Sequence, residues 1–221
     1  MKTQLFKCLV GSRAHGLNDE DSDYDYRGVF IVPTSEILSL GSNAKTTSWI
    51  EGEVDDTQWE LGHFLHLATK CNPTILEAFT APIENKEHVE HDGILVRGLF
   101  DYVWNSKGVL DAFCGYAHNQ QKKFLDDKDQ RQWKYAGAYI RVLWQGYMLL
   151  NTGKMIVDLR GSEIHGTLLE IRKGGVNKGD VINIAEYWKK MIQKAYEANP
   201  SKKTNLEAVN HMLLTLRRNY W

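Results

Sequence analysis

The spacing of apolar residues changes once along this chain, near residue 60, and that change constrains the fold more than any other feature. Before it, short apolar runs are broken by turn residues. Leu5 to Val10 stops at Gly11, and a second run from about Asp23 through Val32 is closed by Pro33. Trp49, Ile50 and Val54 mark one or two further strands between Thr47 and Trp59. Short runs bounded in this way read as buried strands. From Glu60 onward the period becomes helical: Leu61, Phe64, Leu65, Ala68 and Cys71 fall on one face, and Asn72-Pro73 ends the pattern. Thr74 to Phe79 reads as a further short helix. Leu95, Leu99 and Val103 form one stripe, and Val109, Ala112, Phe113 and Tyr116 another. The strongest helix is predicted from about Gln130 to Leu150, with Gly153 as its stop. Others are predicted over 162–173 and 181–199, and a last one opens with the capping-box pattern Thr204-Asn205-Leu206-Glu207. Strands first and helices after predict an α+β fold in two parts. The charged stretch 84–92 sets the boundary, giving a core over 1–90 and a helical domain over 91–221.

Charge and cysteine content narrow the function. The formal net charge is -1 and the pI about 6.7, so the basic excess needed to hold duplex DNA in bulk is absent. The three cysteines, Cys8, Cys71 and Cys114, are far apart and form no CxxC pair, which argues against a structural zinc site and against disulfide dependence. No apolar stretch approaches the length of a membrane span, and the first apolar run is too short for a secretory signal. The expectation is a soluble, cytoplasmic protein without membrane partners.

The chemistry-bearing residues lie at the joins of the first strands. Asp23 and Asp25 are two apart, so on a strand both carboxylates project from one face. Two bare carboxylates this close repel unless cations neutralise them, and Mg²⁺ prefers such hard oxygen ligands. Gly11-Ser12 supplies the complementary element. A glycine lets backbone N–H groups approach a phosphate, and the Ser12 hydroxyl can donate to it. Arg13 and His15 follow at once and are expected to contact phosphate, and Lys134 and Arg141, seven apart on one helix face, are expected to reach it from the second half. A third carboxylate is expected just before the helix at Glu60. Asp55 and Asp56 point to opposite faces of an extended segment, so only one can join the pair, with Asp55 preferred.

Gly11-Ser12-Arg13-Ala14-His15-Gly16 followed by Ser22-Asp23-Tyr24-Asp25-Tyr26-Arg27-Gly28-Val29-Phe30 resembles the predicted nucleotidyltransferases of the DNA polymerase beta superfamily. That pattern is a Gly-Ser turn, a gap of about ten residues, an acid-x-acid pair and a later third acid. Glu60-Leu61, Asn72-Pro73-Thr74, Leu76-Glu77 and the helix from Lys134 to Leu150 extend the resemblance over most of the chain. It implies a small mixed β-sheet core followed by a mainly helical domain that closes over the nucleotide. It also implies two Mg²⁺ ions, with Mn²⁺ as a substitute, and ATP or another NTP as substrate. Asp23, Asp25 and Asp55 would hold the metal and act in catalysis, while Gly11, Ser12, Arg13, His15, Lys134 and Arg141 would bind the nucleotide. The expected activity is transfer of an NMP to an acceptor that is RNA, protein or a small molecule. The rival readings are an inactive nucleotide-binding or antitoxin-like module and a metal-dependent phosphohydrolase.

Other pairings carry less. Arg27 reads equally as an ion-pair partner of the aspartates and as a substrate contact. His63 with His66, and His88 with His91, have helical spacing but lack a third ligand. Arg160 and His165 form an Arg-x4-His pattern, read as coincidental because Gly161-Ser162 interrupts it.

Overall fold

A computed structural model describes residues 2–41, 47–50, 54–83, 89–126 and 131–221, with the backbone alone for 47–50, 54 and 55. Its sheet is mixed. Strand β1 (Thr3–Val10) runs antiparallel to β2 (Tyr24–Ile31), β2 runs parallel to β4 (Val54–Glu60), and β3 (Thr47–Ile50) closes the edge antiparallel to β4. Paired residues of neighbouring strands share a face. Phe6, Cys8 and Val10 thus stand beside Val29, Arg27 and Asp25. Phe6, Cys8, Val10, Val29 and Ile31 are buried, and α3 (Leu61–Thr69) and α4 (Pro73–Thr80) lie against these two strands. Asp25 is therefore the last member of a row whose other end is anchored in the core.

Local chemistry sets the ends of these helices. The Glu60 carboxylate accepts from Gly62 N at 2.7 Å and caps α3. Asn72 accepts from the N–H groups of Thr74 and Ile75 while Pro73 takes the first helical position, where its missing N–H costs nothing. Two short helices join the strands. Helix α1 (Gly11–His15) follows β1 directly, and α2 (Thr34–Leu38) follows β2.

The second half is mainly helical among its described residues. The expected stripe from Leu95 to Val103 is split at Gly98 into α5 (His91–Arg97) and α6 (Phe100–Val103). Three helices of 21 residues follow, α7 (Ser106–Asp126), α8 (Gln132–Thr152) and α10 (Lys178–Ala198), with α8 packed between the other two. Gly153 ends α8 in the left-handed conformation, as its position predicted. Helix α9 (His165–Arg172) lies on α8, and α11 (Leu206–Asn219) returns to the sheet, where Arg217 meets the buried Glu60 at 2.6 Å. The buried apolar residues form one cluster that runs from Leu5 to Leu216 across both halves. Among the described residues no helix is long and apolar enough to cross a membrane.

Candidate active site

A cleft of about 590 Å³ opens where the C-terminal end of β1 meets α8 and α9, a volume within the range of small-molecule sites. One wall comes from the first strands and contains Gly11, Ser12, His15, Asp23 and Asp25. The other comes from α8 and contains Arg131, Lys134, Gly137, Ala138 and Arg141; Arg172 of α9 stands at the rim. Acidic oxygens thus face a row of cations.

The first wall depends on Gly11. Its φ of +69° lies in the left-handed region, and a Cβ built there would overlap Oδ2 of Asp25. Only glycine lets β1 turn into α1 while the Asp25 carboxylate lies against that turn. Within α1, Ser12 and His15 are three apart and share the cleft side, whereas Arg13 turns away. Arg13, expected at the nucleotide, donates Nε–H to the Ser22 carbonyl at 2.9 Å and stacks on the Tyr24 ring at 4.0 Å. It holds the loop that delivers Asp23. The same loop is tied to α9: Arg172 meets Asp19 at 2.8 Å and the Ser22 hydroxyl at 3.0 Å. Hydrogen bonds from Ser22 and Arg172 hold the exposed Asp19 carboxyl below its usual range.

Behind the cleft lies a buried charge group. His15 Nε2 is 2.5 Å from Oε1 of Glu77, and Arg141 Nη1 is 3.6 Å from Oε2. Burial alone would raise the Glu77 pKa, but His15 and Arg141 together hold it down at about 2. Burial, reinforced by the Arg141 charge, lowers His15 against the opposing pull of Glu77. The arrangement is therefore a neutral His15 donating Nε2–H to a carboxylate, with Arg141 as the counter-charge. His15 lines the cleft, but its Nε2 is committed to this group.

The third acid divides as the alternation requires. The register pairs residue 55 with Asp25 and residue 56 with Tyr26, so position 55 lies in the Asp25 row of the sheet and position 56 in the next. Asp56 is buried, 2.6 Å from Lys7 Nζ, and accepts from Gln58. That ion pair uses Asp56 structurally. The side chain of Asp55 lies outside the described residues. Among the described residues no group of three or more His, Cys, Asp or Glu is placed to hold a metal ion. The donor chemistry nevertheless fits a hard divalent cation: Asp23 and Asp25 present carboxylate oxygens in the same cleft, and the backbone puts residue 55 beside them.

Several lining or supporting residues had no local signal. Asp19, Arg131, Trp133, Gly137 and Arg172 became visible only through contacts between distant segments, and Glu77, noted in the sequence only as part of Leu76-Glu77, gained its pairing with His15 and Arg141 in the same way. Arg160 and His165 do come together, but on Gly16: His165 Nε2 is 2.8 Å from its carbonyl and the Arg160 stem packs beside its Cα. Arg160 itself pairs with Asp158. Their role is to brace the end of α1. His88 lies outside the described residues.

A protein-family model described as RlaP, RNA repair pathway DNA polymerase beta family, matches residues 2–215. No curated protein matches the chain.

Proposed function

This chain belongs to the RNA repair pathway DNA polymerase beta family, and from that membership and the cleft we propose that it transfers an NMP from an NTP to an acceptor hydroxyl with the help of two divalent metal ions. The observation that carries the reading is the placing of Ser12, Asp23 and Asp25 on one wall opposite Lys134 and Arg141 on the other. A triphosphate is strongly anionic, so it needs cations on one side and neutralised carboxylates on the other.

In this reading Asp23, Asp25 and Asp55 hold Mg²⁺, which when bound lowers the cost of negative charge on the reacting phosphate and its leaving group. Ser12 donates its hydroxyl to a phosphate oxygen. Lys134 and Arg141 neutralise the phosphates from α8, and Arg131 and Arg172 extend that charge toward the cleft mouth. The acceptor oxygen bonds to the α-phosphorus as the bond to the bridging oxygen breaks. Its proton passes to the Asp55 carboxylate, and pyrophosphate leaves. The family description names RNA repair, so a hydroxyl at an RNA end is the first acceptor to test, ahead of protein and small molecules.

The test is incubation of wild type and Asp25→Asn with each of the four α-³²P-labelled NTPs, Mg²⁺ and RNA carrying a free or a blocked 3′ end. Label should appear on the free-ended RNA with wild type and fall to background with Asp25→Asn. Near-full labelling by the variant would overturn the role given to Asp25. NTP binding without transfer to any acceptor would favour the inactive nucleotide-binding module, and hydrolysed nucleotide alone the phosphohydrolase.

A further inference from the structure

We infer that Glu77 is a positioning residue for the nucleotide, its buried carboxylate joining His15 on one wall of the cleft to Arg141 on the other. The inference rests on the nucleotidyltransferase reading and names what sets the geometry of that site.

Glu77 itself does not line the cleft, but both of its partners do. Each oxygen serves a different wall: Oε1 takes the His15 Nε2–H at 2.5 Å, and Oε2 faces Arg141 Nη1 at 3.6 Å. The carboxylate comes from α4, which belongs to neither wall, so it acts as a rivet between α1 and α8. The same nitrogen of Arg141 has a second partner. Its Nη1 donates to Gln145 Oε1 at 2.8 Å, and Gln145 Nε2 donates in turn to the Ile156 carbonyl at 2.8 Å. Gln145 is 1% exposed, so this anchor has little freedom. His15 is held through its backbone too, its carbonyl accepting from Leu159 N at 3.2 Å.

A long arginine side chain that must be ordered on binding weakens affinity, and one ordered beforehand does not. Glu77 shares that ordering with Gln145 and is the partner that ties Arg141 to the opposite wall. Positioning and plain electrostatics predict opposite signs. If the carboxylate acted only as a negative charge near the triphosphate, removing it would tighten NTP binding. If it acts by holding Arg141, removing it weakens binding and does so only while Arg141 is present.

The experiment measures dissociation constants for the four NTPs with Mg²⁺ by isothermal titration, using wild type, Glu77→Gln, Arg141→Met and the double variant. Thermal melts confirm that each is folded. Glu77→Gln should weaken the best-bound NTP about tenfold, the order expected for one side chain left to be ordered. On the Arg141→Met background the same change should add nothing. Tighter binding by Glu77→Gln, unchanged binding, or an equal further loss in the double variant would each overturn the inference. Should the Gln variant not fold, Glu77→Asp keeps the charge and withdraws it by one methylene. It should again weaken binding only in the presence of Arg141, and wild-type affinity would overturn the inference. A wild-type chain that binds NTP yet transfers nothing would defeat the transferase reading alone, with the Glu77–Arg141 coupling still measured. A wild-type chain that binds no NTP would remove both.

Discussion

At the scale of single residues the His15–Glu77 pair makes stability depend on pH. Both groups have folded pKa values below their ordinary ones, 6.5 for His15 and 4.5 for Glu77. For both, the unfolded chain takes up protons first, so their contribution is complete above about pH 6.5. As pH falls it is lost, beginning with His15 below 6.5 and continuing with Glu77 from 4.5 toward 2. The melting temperature of wild type should therefore drop between pH 7 and 5 more steeply than that of His15→Gln, which has no imidazole to protonate. Equal slopes would show that His15 is not kept neutral by the fold. The committed Nε2 also separates what could be read locally from what could not. Gly11, Ser12, Asp23 and Asp25 could be picked out together because their spacing is a short-range pattern, and the fold brings all four to one cleft. Arg13 and His15 looked alike as polar neighbours of Gly-Ser. A single helical turn in place of an open loop sends Arg13 to Ser22 and Tyr24 and leaves His15 on the cleft side.

At the scale of elements α8 carries the clearest functional pattern. Lys134, Gly137, Ala138 and Arg141 recur at helical spacing, and all four line the cleft. Two cations flank two of the smallest side chains, which leaves the floor between them open. A Cβ added at Gly137 meets nothing within 4 Å. Gly137→Leu should therefore fold, with stability unchanged or raised by up to about 1 kcal/mol from helix propensity, while its side chain enters the cleft. Thermal melts together with NTP titration check this. An equal or higher melting temperature with much weaker NTP binding is expected, and full affinity would place the nucleotide elsewhere. The long helices were legible from periodicity, but some ends were not. The capping pattern at Thr204 is displaced by one residue: Asn205 caps α11, while the Thr204 hydroxyl is drawn into contacts with Asn105 and Val103. Helices α1 and α2 span five residues each, too few to show a period of 3.6.

At the scale of the whole molecule the parts read as separate from sequence are joined by contacts between positions far apart in the chain. Glu60 and Arg217 are 157 residues apart, and Asp19 and Arg172 are 153 apart. Nothing in a local window encodes such pairs, because each partner alone is an ordinary polar residue. The apolar patterns were legible separately, whereas their fusion into one buried cluster is a property of the assembled chain. The described residues on either side of 90 are also stitched at the backbone. Leu159 N donates to the His15 carbonyl at 3.2 Å, and Thr34 N donates to the Tyr220 carbonyl at 2.6 Å. The exposed Arg172–Asp19 bridge is screened by solvent and adds little, so the shared apolar cluster must carry the coupling. A core common to both halves cannot lose one side without exposing the other. Urea unfolding followed by tryptophan fluorescence and by far-UV circular dichroism should accordingly give coincident transitions, although a chain of 221 residues exceeds the size at which this is routine. Both probes sample the helical half, but the strands contribute to the dichroism and Trp59 to the fluorescence. Two resolved transitions would mean that the cleft lies between independently stable units, and its width would then be set by polar contacts such as the His15–Glu77–Arg141 group, the α9 bridge and the His165–Gly16 contact.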